Sequence, residues 1–143
     1  MKILGHVRKY MKEGGAPLVR RAKGARAFLY PVDEKVKKRH GTIYAAAVKG
    51  DWGKVEEIYK NFPDDVRAKL ESSYLGDTAL HVVAAVGRNE FVKQLVSKYL
   101  KDEDLEMKNE KGNTAFCLAA MTGNMELVRF IYVSKENGIT IDP

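Results

Sequence analysis

Cysteine is almost absent from this 143-residue chain, in which Cys117 stands alone. One thiol makes no internal disulfide and no clustered thiolate metal site, which suits a reducing compartment such as the cytosol. Histidine is scarce too, at three copies, and none shares ligand spacing with Cys117 as a zinc site requires. No stretch approaches the roughly 18 consecutive apolar residues of a membrane-spanning helix. Also missing is any set of nucleophile, base and oxyanion donors, any phosphate loop and any metal-ligand cluster, so neither enzymatic activity nor a cofactor is expected. Acidic residues are scarce at one end only. Residues 1–40 hold 12 Lys and Arg against 3 Asp and Glu, a net +9, while the rest of the chain holds 13 against 16, a net −3. The overall +6 therefore belongs to an N-terminal arm and not to the body, and a nucleic-acid partner is not expected.

What is present is one domain's length of chain with 45% hydrophobic and 31% charged residues, a balance that supports a folded core. It also repeats itself. "GDTALHVVAAVGRNEFVKQLV" from Gly76 and "GNTAFCLAAMTGNMELVRFIY" from Gly112 align without a gap at 36 residues, and "GTIYAAAVKGDWGKVEEIY" from Gly41 falls into the same frame 37 residues earlier. Each copy predicts a short helix, a tight turn at Gly50, Gly87 or Gly123, and a second helix. Thr78 is placed to cap the first helix of copy two. The second helix of copy two carries an apolar stripe of Phe91, Val92, Leu95 and Val96, and copy three repeats it with Leu127, Val128 and Ile131. One stripe per helix pair cannot bury itself, so the copies must stack.

The pattern G-x-T-[PA]-L-H-x-A-A-x-x-G at this spacing resembles the ankyrin repeat, with Ala79 for the usual proline and Val83 for the first alanine in copy two. Copy two matches at Gly76, Thr78, Leu80, His81, Ala84 and Gly87; copy three matches at Gly112, Thr114, Ala119, Ala120 and Gly123, with Phe116 for leucine and Cys117 for histidine. Copy one is degenerate, with Gly41 at the threonine position and Tyr44 at the histidine. The resemblance implies an all-α solenoid of about three helix-turn-helix repeats joined by hairpin loops, over residues 41–73, 74–109 and 110–143. Residues 1–40 precede it as a basic arm expected to be disordered or partly helical. "YAAAVKGDW" and "KNEKGNTAFCLAA" are further similar to the plant ankyrin-repeat proteins that end in a PGG-type membrane domain, a family linked to defence and stress signalling. By that resemblance the protein is expected in the cytoplasm as it stands, and at a membrane if such a domain accompanies it. Ile131 and Val133 in "RFIYVSKENGITIDP" are expected to need cover from a further repeat or a polar cap, which points to a fragment, a truncated gene product or a short paralogue.

The function expected is protein binding by a monomer through a concave face. Its variable positions are Lys49, Tyr74, Leu75, Asp77, Val86, Glu110, Lys111, Asn113, Met121 and Thr122. Apolar Tyr74 and Leu75 at a hairpin tip are the leading candidates. His81 is read as a turn-holding residue, because Tyr44 and Cys117 fill the same slot and share packing more readily than chemistry. Cys117 is expected to be buried, "KDEDLE" at residues 101–106 to be a solvated loop lacking a calcium loop's spacing, and "VKKRH" at residues 36–40 a solvated linker. Trp52 is expected to pack, whereas Tyr59 fits packing and an exposed anchor equally. The alternative function rests on Ile3, Leu4, Val7, Tyr10 and Met11, whose helical spacing beside Lys and Arg would let residues 1–40 lie on an anionic membrane surface.

Overall fold

The computed structural model describes residues 33–136; the amphipathic stretch at residues 3–11, the rest of the arm before residue 33, and residues 137–143 lie outside them. The chain divides into two units, Met1–Lys38 and Arg39–Pro143. Of the first, only residues 33–38 are described, and they open a helix.

Among the described residues, six α-helices form three pairs: α1 (Glu34–Lys49) with α2 (Trp52–Asn61), α3 (Ala79–Val86) with α4 (Asn89–Tyr99), and α5 (Ala115–Met121) with α6 (Met125–Glu136). Two short 3-10 turns, Pro63–Val66 and Asp102–Glu106, close the first and second pairs. The start of α3 is set locally. Thr78 is extended and its hydroxyl accepts the His81 N–H, which satisfies one of the donors that a helix start leaves free. The end is equally local: Gly87 adopts φ 89°, a left-handed conformation that costs glycine little. Both Gly87 and Arg88 donate their N–H groups to the Val83 carbonyl at 2.9 Å.

The apolar stripes then meet. Phe91, Val92, Leu95 and Val96 of α4 are buried together with Val55 and Tyr59 of α2 and Leu127 and Ile131 of α6, in a single core cluster. The first helices pack directly on one another, α3 against α5, because Ala79, Ala84, Ala115 and Ala119 allow close approach.

Three local expectations are corrected. Residues 36–40 are not a linker but turns of α1, which runs through Gly41. Thr78 and Thr114 stop the chain with a capping hydroxyl in the other copies, and Gly41 has none to offer. Residues 101–106 are not a solvated loop: Asp104 and Leu105 are buried while their neighbours stay exposed, because Leu105 is the apolar anchor of its 3-10 turn, as Val66 is of the turn before. Finally, Ile131 already lies fully buried within the stack, whereas Val133 is 48% exposed.

Candidate functional site

The two hairpins that precede α3 and α5 are built by equivalent polar residues. The Ser73 hydroxyl accepts the N–H groups of Leu75 and Asp77 at 3.3 and 3.1 Å, and the Asn109 side-chain oxygen accepts those of Lys111 and Asn113 at 2.9 and 3.0 Å. Each side chain thereby holds a tip whose glycine, Gly76 or Gly112, has positive φ. The hairpins are also joined to each other. Glu110 donates its N–H to the Leu75 carbonyl at 2.7 Å, and the Asn109 amide donates to Asp77 at 2.9 Å.

His81 fastens α3 to the hairpin that follows it. Its Nδ1 accepts the Thr78 N–H at 3.1 Å, which assigns the proton to Nε2. From there the Nε2–H points at the carbonyls of Met107 and Asn113, 3.0 Å from each. Burial pushes the ring's pKa below its ordinary value, and the nearby Asp77 charge and the two carbonyls offset only part of that. A neutral ring with both nitrogens occupied holds structure and leaves no lone pair for chemistry.

Copy one lacks a histidine at this slot, yet His40, one turn earlier in α1, performs the same task. Its Nδ1 accepts the N–H of Glu71 at 3.1 Å, and the Ser72 hydroxyl donates to its carbonyl at 3.4 Å. Glu71 stands 36 residues before Met107, so both histidines fasten the same position of successive hairpins. A second pair of contacts recurs. Arg39 donates from Nε and Nη2 to the buried Asp65, and Arg67 donates to the buried Asp104 at 2.9 Å and to the Tyr99 carbonyl at 2.9 Å. Arg39, His40, Asp65, Arg67 and Asp104 were not among the residues expected to build the site. The signal was an aspartate followed by an apolar residue after each second helix, Asp65-Val66 and Asp104-Leu105.

The remaining chemical candidates resolve as packing. Cys117 is half-buried rather than buried, since no described hairpin covers it as Met107 and Asn113 cover His81. A hydrogen bond from the Thr114 hydroxyl, at 3.4 Å, draws its thiol pKa down. Trp52 packs edge-on against Phe91, with centroids 5.1 Å apart, and beside Tyr59 and Tyr99. Tyr59 is 1% exposed, so it is a core residue and not a surface anchor. Burial, and next the charge of Asp65, drive its hydroxyl pKa well above the ordinary tyrosine value. Among the described residues no three His, Cys, Asp or Glu side chains converge as a metal cluster, and no helix is long and apolar enough to cross a membrane.

The ten candidate positions fall into two kinds. Leu75, Asp77 and Asn113 are half-buried, and the last two are engaged within and between the hairpins. Tyr74, Glu110 and Lys111 are exposed at the hairpins, and Lys49, Val86, Met121 and Thr122 are exposed where α1, α3 and α5 end. Tyr74 is 46%, Val86 45% and Met121 71% exposed, so the apolar members are accessible.

A family model described as ankyrin repeats (3 copies) matches residues 42–142. No curated protein and no solved structure matches the chain.

Proposed function

The chain belongs to the ankyrin-repeat family, whose repeats are protein-interaction modules and are generally not enzymes, and from that premise we propose that this protein is an adaptor that captures a protein partner on the hairpin tips and the ends of its first helices. The observation that carries the reading is the exposure of Tyr74, Val86 and Met121, large apolar side chains at a hairpin tip and at the ends of α3 and α5. Accessible apolar and aromatic side chains on a preformed scaffold supply binding energy without costing folding energy. Asp77 and Asn113 hold the tips in place, while Lys49, Lys111 and Thr122 border the apolar positions and tune which partner fits.

By its resemblance to the plant proteins with a PGG membrane domain, the adaptor serves stress or defence signalling from the cytoplasm, or from a membrane where such a domain is present. Its single cysteine suits the cytoplasmic location. The alternative, docking on anionic lipid through residues 1–40, draws on the +9 charge there.

The test is affinity capture by the whole chain and by a Tyr74→Asp, Val86→Asp, Met121→Asp triple variant. The variant should keep its circular dichroism spectrum and lose the proteins that the parent retains. Equal capture by both overturns the concave-face reading. Co-sedimentation of the same variant with anionic vesicles that a chain lacking residues 1–32 ignores would favour the lipid alternative.

A further inference from the structure

The third repeat presents a face that the second repeat keeps covered. Val96 and Val92 of α4 are fully buried, while Tyr132 and Val128 in the same places on α6 are 56% exposed and half-buried. Ala84 is buried and its counterpart Ala120 is exposed. A capping repeat turns polar residues outward, whereas Val128, Tyr132 and Ala120 are apolar.

The exposed side of α6 has its own pattern. Arg129, Tyr132, Val133 and Glu136 are all exposed and follow the i, i+3, i+4, i+7 spacing of a single helix face. That face is separate from the Leu127, Ile131 and Ser134 row, which is buried. The two apolar residues sit at the centre, with a positive charge about one turn before them and a negative charge about one turn after. Such an arrangement is self-complementary. If two α6 helices lie antiparallel about a two-fold axis between Tyr132 and Val133, each Arg129 meets the other chain's Glu136, and each Tyr132 meets the other chain's Val133. Among the described residues, the opposite end of the stack is mostly polar: α2 exposes Lys54, Glu57, Lys60 and Asn61, with Phe62 the one large apolar side chain exposed beside them. Head-to-tail growth is therefore disfavoured and a closed pair is left.

We propose that this protein forms a two-fold symmetric dimer through α6, with Tyr132 and Val133 at the centre and Arg129 paired with Glu136 of the second copy. The monomer expected from the sequence is the dissociated form. The patch is small, so the dimer is dilutable. It leaves Tyr74 and Val86, which lie on other elements, free for a partner, and gives the adaptor two equivalent binding faces.

Sedimentation velocity of the full chain tests it, with circular dichroism as the check of folding. The parent should shift from monomer to dimer between roughly 1 and 200 µM. Tyr132→Asp should stay monomeric throughout. Arg129→Glu and Glu136→Arg, each alone, place like charges opposite one another and should also be monomeric. An equimolar mixture of these two variants should recover a dimer, since every cross-chain pair is then opposite in sign. A parent that is monomeric at every concentration overturns the proposal, as do a Tyr132→Asp dimer and a mixture that remains monomeric.

Discussion

His81 shows how a single side chain connects three segments of chain: the cap of its own helix, the strand-like approach at Met107 and the hairpin at Asn113. Replacing it with alanine leaves the Thr78 N–H and two carbonyls without a buried partner. The expected loss is at least about 3 kcal/mol in urea unfolding, at roughly 1–3 kcal/mol for each of the three groups left unsatisfied. The pH dependence has a definite sign. The folded ring's pKa is lowered, while a histidine in the unfolded chain titrates near 6.5, about the value of a free side chain. Below that value the unfolded chain binds the proton first. His81's contribution is thus complete above about pH 6.5 and declines as the pH falls toward the folded value. Comparing urea midpoints between pH 7.5 and 5 should show a steeper decline for the parent than for His81→Ala, and equal slopes would remove His81 as the cause. Thr78, His81 and their spacing were legible in the sequence because a cap joins residues three apart. His40 was not. Its partner, Glu71, is 31 residues away, and nothing in the local pattern "KKRHG" distinguishes it from a solvated lysine-rich run.

At the scale of the helix, termini decide the architecture more than propensities do. Gly87 ends α3 at φ 89° with an Asn124 side-chain nitrogen 3.7 Å from where a Cβ would stand, so space is adequate and conformation is the constraint. Gly87→Ala should cost about 1–2 kcal/mol, the penalty of a left-handed residue with a Cβ, and should lower the thermal midpoint without altering the helical spectrum at low temperature. An unchanged midpoint would mean that the turn can relax into another form. The same reasoning explains where the boundaries departed from expectation. α1 runs through Gly41 because no capping side chain stands there, and its buried His40, Ile43, Ala46 and Ala47 keep it on the stack. Cross-repeat contacts such as Lys93 with Glu126, 2.9 Å apart, sit on the surface and set alignment more than stability. They raise the lysine's pKa and lower the carboxylate's, chiefly through that hydrogen bond.

For the whole molecule, stability comes from faces shared between neighbouring repeats. Leu95 of α4 is fully buried at the middle of the stack, in the cluster that joins all three pairs. Leu95→Ala should cost about 2–5 kcal/mol, through lost transfer energy and the cavity left behind. Because every repeat leans on the second, far-ultraviolet circular dichroism and Trp52 fluorescence should report one common urea transition at a lower midpoint. Two separated transitions would show that repeat one folds apart from the rest. By itself the sequence determined the repeat period, the three helix pairs, the glycine turns and the stripes that face inward, since each depends on residues within a turn or two of one another. Only the tertiary structure decided that Tyr59 is core, that Asp65 and Asp104 are buried beneath Arg39 and Arg67, and that Tyr132 stands exposed where Val96 is covered. Those outcomes depend on partners 26 and 37 residues away and on which face a neighbouring repeat covers, and the physics of burial acts on that assembled surface rather than on any local run of residues.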